Sequence, residues 1–339
     1  MSLKKKIARR LTGKRSPGQG ATKVDRQLAF VISAPRSGST WLKRALNQHP
    51  GIYCTEQRLF GQYYDVVPNA DATYTLRLTL DEYAKALSGF YDYDALGLSL
   101  LEYRDDFIHH MVQAMLEYGY TRSGKPVLVD KITPYRHTSE TVLRHIKRYT
   151  PQAHLIQLVR DGRDVITSGV FDWIARTKRD HPRYEVFVKK EADITLERFF
   201  DDDDLTQWAD EWAGPIRAFQ NAGGAPITIR YEAMKMDQAG TLRQVFDYLQ
   251  LPADSAIVAR CVEESSFKKM SAGREAGQSV STAKARKGIA GDWKNYFTRQ
   301  DGARFHECAG DCLIAMGYVT DASWVDELPE SLALTAAHA

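Results

Sequence analysis

The sequence predicts an α/β domain, a parallel β-sheet flanked by helices on both faces. Two observations predict it. Continuous apolar runs of strand length alternate with stretches of helical periodicity, and several runs end in segments rich in Gly, Ser, Thr and Arg. Residues 28–33 read Leu-Ala-Phe-Val-Ile-Ser, the pattern of a strand buried on both faces. A short strand at 52–54 follows the Pro50-Gly51 turn, and further runs occupy 127–129, 154–159 and 226–229. Helical patterns cover 138–149, 163–175, 205–221 and 241–249. A sheet of this kind binds ligands outside the carboxyl ends of its strands, so the residues just after each run are the ones to read for chemistry.

The chain has 339 residues, 43% apolar and 26% charged. That excludes a disordered or collagen-like chain and leaves ample material for a core. No run approaches the ~18 apolar residues of a membrane span. Cys54, Cys261, Cys308 and Cys312 are too few for a disulfide scaffold and show no metal spacing. Cys308 and Cys312 share an apolar helical stripe with Phe305 and Met316, so they read as core. The net charge of +3 hides an asymmetry: residues 1–26 carry a net +8, and the rest of the chain is net −5. Leu3, Ile7 and Leu11 recur among the Lys and Arg of this arm. The spacing suits a short basic helix against anionic lipid, but three apolar residues bury little area, which favours a solvated arm. The arm lacks the apolar core of a signal peptide, which points to a cytoplasmic protein, with peripheral membrane contact through the arm as the alternative.

The main domain is expected over 27–320, with insertions at 60–125 and 172–205 above the sheet and a C-terminal tail at 321–339. Four Asp at 201–204 read as a solvated cap on the following helix. No His or Cys joins them, so they do not read as a metal site.

Three segments carry anion-binding chemistry. After the first strand comes Ala34-Pro35-Arg36-Ser37-Gly38-Ser39-Thr40-Trp41-Leu42, a small-residue turn opening a helix. Gly38 permits close backbone approach, and amides at a helix N-terminus suit one anion. Ser37, Ser39 and Thr40 add hydroxyls. The segment fails the Walker pattern: it has one glycine, and no Lys where a magnesium-nucleotide loop needs it. After the strand ending at Val159 comes Arg160-Asp161-Gly162-Arg163-Asp164, with Ser168 further on; the competing reading is a capped helix with Arg163 and Asp164 as surface charges. The third segment is Arg286-Lys287-Gly288-Ile289-Ala290-Gly291-Asp292-Trp293, two cations before a glycine in a Ser/Ala/Gly-rich stretch suited to a lid.

In this order the three segments resemble those of the sulfotransferases that use 3′-phosphoadenosine 5′-phosphosulfate (PAPS), across about residues 28–318. The Pro35-Arg36 loop is similar to the tyrosylprotein, carbohydrate and bacterial branches more than to the cytosolic phenol branch. The resemblance implies a P-loop nucleotide-kinase-like fold with helical insertions that select the acceptor. It implies PAPS as donor, no metal, a hydroxyl- or amine-bearing acceptor (carbohydrate, lipid, peptide or small molecule) and no nucleic acid partner. It assigns Ser37, Gly38, Ser39 and Thr40 to the 5′-phosphate, and Arg160, Ser168, Arg286, Lys287 and Gly288 to the 3′-phosphate. Trp41 and Tyr231 match residues near the adenine, although both types also suit a core. Arg36 and Lys131 would stabilise charge as the sulfuryl group transfers. Arg36 stays charged, so it reads as a stabiliser rather than an acid.

The base is implied by the same resemblance. Relatives of the phenol type place a His where this chain has Thr133, and other branches use a Glu after the first helix. A gapless count reaches Gln57, so Glu56 requires a one-residue slip. Glutamine is not a useful base, which leaves Glu56, with pairing to Arg58 as the competing reading and His137 and Asp130 in reserve. A dimerisation segment that some relatives carry after the Gly-Asp-Trp triplet is missing, since Thr298-Arg299 is followed by Ala303, and the oligomeric state stays open. Two other functions compete: a P-loop-type kinase, and a binding module that keeps the fold without the chemistry.

Overall fold

The computed structural model describes residues 26–57, 59–60, 95, 97–134, 138–177, 182–190, 194–222, 226–271, 273–275, 277 and 287–336. Among these residues five strands form one parallel sheet in the order β2-β3-β1-β4-β5. The strands are β1 (Gln27–Ile32), β2 (Ile52–Glu56), β3 (Val127–Ile132), β4 (His154–Val159) and β5 (Ile227–Arg230). Parallel neighbours need crossovers, and helices supply them. They include α1 (Ser39–Leu46), α2 (Leu100–Ser123), α3 (Ser139–Tyr149), α4 (Gly162–Thr177) and α5 (Asp202–Ala222). After β5 come α6 (Tyr231–Met236), α7 (Gln238–Tyr248), α8 (Ser255–Glu264) and α9 (Arg299–Ala315).

The period-two alternation of the strands sends side chains to two faces. Val31, Cys54, Val129, Ile156 and Leu158 pack with Leu42 of α1, Leu242 and Phe246 of α7 and Val258 of α8. Phe30, Ile32 and Leu128 pack on the opposite face with Ile108 and Val112 of α2 and Leu143 and Ile146 of α3. A third, aromatic cluster joins α4, α5 and α9 through Phe171, Trp212, Phe297 and Phe305.

Register positions the site. Val31 of β1 and Glu56 of β2 both lie opposite Lys131 of β3. Lys131 therefore follows Val129 onto the α1 face, and Glu56 follows Cys54 onto the same face.

The expected Asp run begins α5, but it is not simply solvated. Arg183, itself buried, pairs with Asp201 and Asp204, and Arg198 pairs with Asp202 and with the buried Asp301. The C-terminal segment packs rather than trailing: Trp324, Leu328 and Leu334 join the aromatic cluster, and Leu334 bridges to Leu196. Phe305 and Cys312 are buried, with Cys308 and Met316 against the same cluster. Part of the 60–125 insertion is α2, opened by a Ser99/Glu102 capping box. The basic arm at 1–25, residues 61–94, Arg58, His137 and Arg286 lie outside the described residues.

Candidate active site

A cavity of about 560 Å³ opens above the carboxyl ends of β1 and β4. Arg36, Gly38, Ser39, Thr40 and Trp41 line it from the first segment, Arg160 and Ser168 from the second, and Lys287 and Gly288 from the third. Tyr231 lines it from the start of α6. Residues far apart in sequence thus meet in one hollow.

Side-chain bonds tie the three segments together. Arg160 donates to the Arg36 carbonyl at 3.2 Å and to the Ile289 carbonyl at 3.1 Å. Arg36 Nε donates to Ser168 Oγ at 3.2 Å, and its guanidinium pairs with Asp172 at 3.4 Å. Arg36 stands at φ 65°, in the left-handed region that side chains avoid. That conformation accompanies its carbonyl contact with Arg160. Lys287 Nζ donates to Asp292 and to the Tyr296 hydroxyl.

Asp164, expected at the surface under one reading, is the buried link. Its carboxylate accepts from the backbone N–H groups of Gly291 and Trp293 at 2.8 and 3.0 Å, and it faces Arg160 at 3.5 Å. Burial pushes its carboxyl up, against the opposing pull of Arg160. Burial disfavours the Arg160 charge, yet Asp164, with Tyr231, Glu232 and Asp161 behind it, holds that pKa above its ordinary value. Arg163 is likewise buried, its guanidinium lying against the rings of both Trp293 and Trp324.

The first loop divides its residues. Gly38 has φ 90°, and a Cβ there would sit 2.6 Å from Tyr231 Cδ2. Tyr231 and Trp41 meet edge to face at 5.7 Å, and Arg160 stacks on the Tyr231 ring at 4.4 Å. Both aromatics therefore form the cavity wall. Ser37 departs from expectation: its hydroxyl is buried beneath the loop, beside Gln157 and Trp212, and does not line the cavity. Ser37 therefore presents no side chain to the cavity.

The hollow fits a phosphorylated nucleoside. Arg160 Nε and Trp41 Nε1 are buried at its wall without a hydrogen-bond partner. Arg36, Arg160 and Lys287 supply charge, and Trp41, Tyr231 and Phe267 supply aromatic surface. Among the described residues, no group of His, Cys, Asp or Glu is arranged to hold a metal. No described helix is long and apolar enough to cross a membrane.

Residues 26–317 match the profile of the sulfotransferase domain family. The chain belongs to this family. Sulfotransferase 2A1 of Rattus norvegicus is 26% identical over 200 residues, covering 55% of this chain and 66% of the relative, just under two thirds of its length. Sulfotransferase 2A1 of Homo sapiens is 27% identical over 163 residues, covering 44% of this chain and 53% of the relative. Among solved structures, mouse sulfotransferase SULT7A1 complexed with PAP has a TM-score of 0.48 at 17% identity, covering 89% of this chain and 88% of that one. Sulfotransferase STF9 from Mycobacterium avium has a TM-score of 0.42 at 15% identity, covering 87% and 77%.

The sulfotransferase domain carries a second cluster beside the cavity. Lys131 Nζ donates to Glu56 Oε1 at 2.5 Å, and Lys43 Nζ of α1 donates to Glu56 Oε2 at 3.0 Å. Burial pushes the Glu56 carboxyl up, but the hydrogen bonds and charges of Lys131 and then Lys43 outweigh it and hold it at about 2. Gln57, the residue of the gapless count, turns away at φ 53° and donates to the Thr133 carbonyl. Asp130 faces the other side of the sheet, accepting from Thr55 Oγ1 and the Leu59 backbone N–H. It is part of the framework.

Several site residues escaped the sequence reading. Arg44, Lys235 and Arg274 line the cavity, and Phe267 packs under Gly288. Partial desolvation and then Arg160 draw the Lys235 pKa down. A signal existed for the α1 residues: Thr40, Lys43 and Arg44 are three and four apart, hence on one side of the helix. Lys235 and Arg274 sit in no motif.

Proposed function

We propose that this sulfotransferase-family protein transfers a sulfuryl group from PAPS to a hydroxyl or amine of an acceptor. The observation that carries the reading is the Arg160 guanidinium. It contacts the backbone of the first and third segments at once and keeps Nε unpartnered at the cavity wall. Arg160, Ser168, Lys287 and Gly288, with Arg286, would hold the 3′-phosphate. The backbone of Ser37 to Thr40, with the Ser39 and Thr40 hydroxyls, would hold the 5′-phosphate at the start of α1. Trp41 and Tyr231 would flank the base.

When bound, the donor supplies the sulfuryl group and a phosphate oxygen on which charge collects as that group departs. Arg36 and Lys131 keep positive charge on that side of the site. Glu56 takes the acceptor's proton as the acceptor oxygen or nitrogen bonds to sulfur. No metal is needed in this scheme, because the placed cations carry the charge.

Isothermal titration with the desulfated product, 3′-phosphoadenosine 5′-phosphate, tests the donor half. Micromolar or tighter binding is expected, and no binding would sink it. Labelled-donor transfer across carbohydrate, lipid, peptide and phenol acceptors tests the other half. Robust magnesium-dependent ATP turnover would favour a kinase instead.

A further inference from the structure

We propose that Lys43 is a positioning residue for Glu56, which rests on the reading of Glu56 as the base: Lys43 holds the carboxylate in place when Lys131 turns to the donor. No motif contains Lys43. It sits on α1 within two turns of the anion loop, and its ammonium reaches the Glu56 oxygen that Lys131 leaves untouched.

The geometry sets up a conflict that Lys43 resolves. One carboxylate lies between two ammonium groups, one on each oxygen. The Lys131 side chain is 5% exposed and emerges from the middle of the sheet beside β1, the strand that leads into Arg36. It is thus asked to serve both Glu56 and the charge that develops near the donor. Glu56 ends an edge strand, and its side chain is 41% exposed. Without a second contact it would swing into solvent whenever Lys131 moved. Lys43, on a helix anchored by Leu42, Ala45 and Leu46, supplies that contact.

The same contact sets how readily Glu56 takes a proton. With both lysines engaged the carboxylate is a weak base, and release of Lys131 leaves it one cation fewer. Among the described residues, Cys54 and Asp130 also stand near this point. Cys54, on the same strand face, is a thiol whose pKa is pushed up by burial and then by Asp130. Asp130 itself projects from the opposite face of β3.

The test uses the full-length protein with carbon-13-labelled Glu carboxyl groups, titrated without donor. In Lys43→Met the Glu56 titration should move up by about one unit, the low end for loss of a neighbouring charge at a half-exposed site. Lys43→Arg should stay near wild type. In turnover, the acid limb of kcat/KM should move the same way in Lys43→Met, kcat should fall about tenfold, and product affinity at the donor cavity should not change. An unchanged Glu56 titration in Lys43→Met overturns the contact. Full transfer by Glu56→Gln alongside a shifted titration leaves the contact standing but removes Lys43 from the reaction, and so overturns the proposal through the base assignment.

Discussion

The cavity and the Glu56 cluster both lie at the carboxyl end of the sheet, yet they are built differently. The cavity is held by bonds between segments more than a hundred residues apart: Arg36 to Ser168, Arg160 to Ile289, Asp164 to Trp293. Moving one member disturbs the others. The Glu56 cluster rests on the last residue of an edge strand and two lysine tips. The difference teaches a division of labour. Under the proposed function, donor recognition would be fixed by the framework, whereas proton transfer would depend on a few ion pairs.

The sharpest break between the two regions should come from Glu56→Gln. It should lower kcat by about 10²- to 10⁴-fold while leaving product affinity unchanged in a calorimetric titration. A parallel loss of affinity would mean that the regions are not separate. Next in size is Asp164→Ala, which strands the buried Arg160 charge and two backbone N–H groups. Denaturant unfolding should register a loss of about 3–5 kcal/mol, far above that of Glu56→Gln at its half-exposed site. Arg160→Ala should weaken product binding by about 2–4 kcal/mol, or ~30- to 1000-fold, in the same calorimetric titration. Retained affinity would remove the observation on which the function rests. Gly38→Ala forces a Cβ against Tyr231 at a left-handed φ. It should cost about 1–3 kcal/mol of stability by urea unfolding and weaken the product with it.

The smallest effect concerns pH. The Glu56 carboxyl is depressed to about 2, so its ion pairs contribute stability at pH values above its unfolded pKa of ~4.3. That contribution falls away as the pH drops from there through the folded value. Thermal midpoints of wild type and Glu56→Gln should therefore converge on acidification. A gap that widened instead would reverse the sign of the coupling.

Much of this was legible in the sequence. The buried strands announced themselves as apolar runs because both faces of a parallel sheet are covered. The three anion segments announced themselves through glycine, hydroxyl and cation chemistry at strand ends. Partners across the fold were not legible. Asp164 and Arg163 have the composition of surface charges, and only their burial against Arg160 and Trp293 reveals structural roles. Ser37 sits in a hydroxyl-rich loop, and nothing local tells that its side chain points down. Lys43 is one lysine among many on helices.

The sequence alone determined the strands, the helix periods and the kinds of group presented at each strand end. These depend on neighbours a few residues away. Tertiary structure decided which of those groups meet. Sheet register sets Lys131 against Glu56 across 75 residues of chain, and crossover packing sets Arg36 against Ser168 across 132. No local pattern encodes a register between distant strands, because it is chosen by the packing of both sheet faces together.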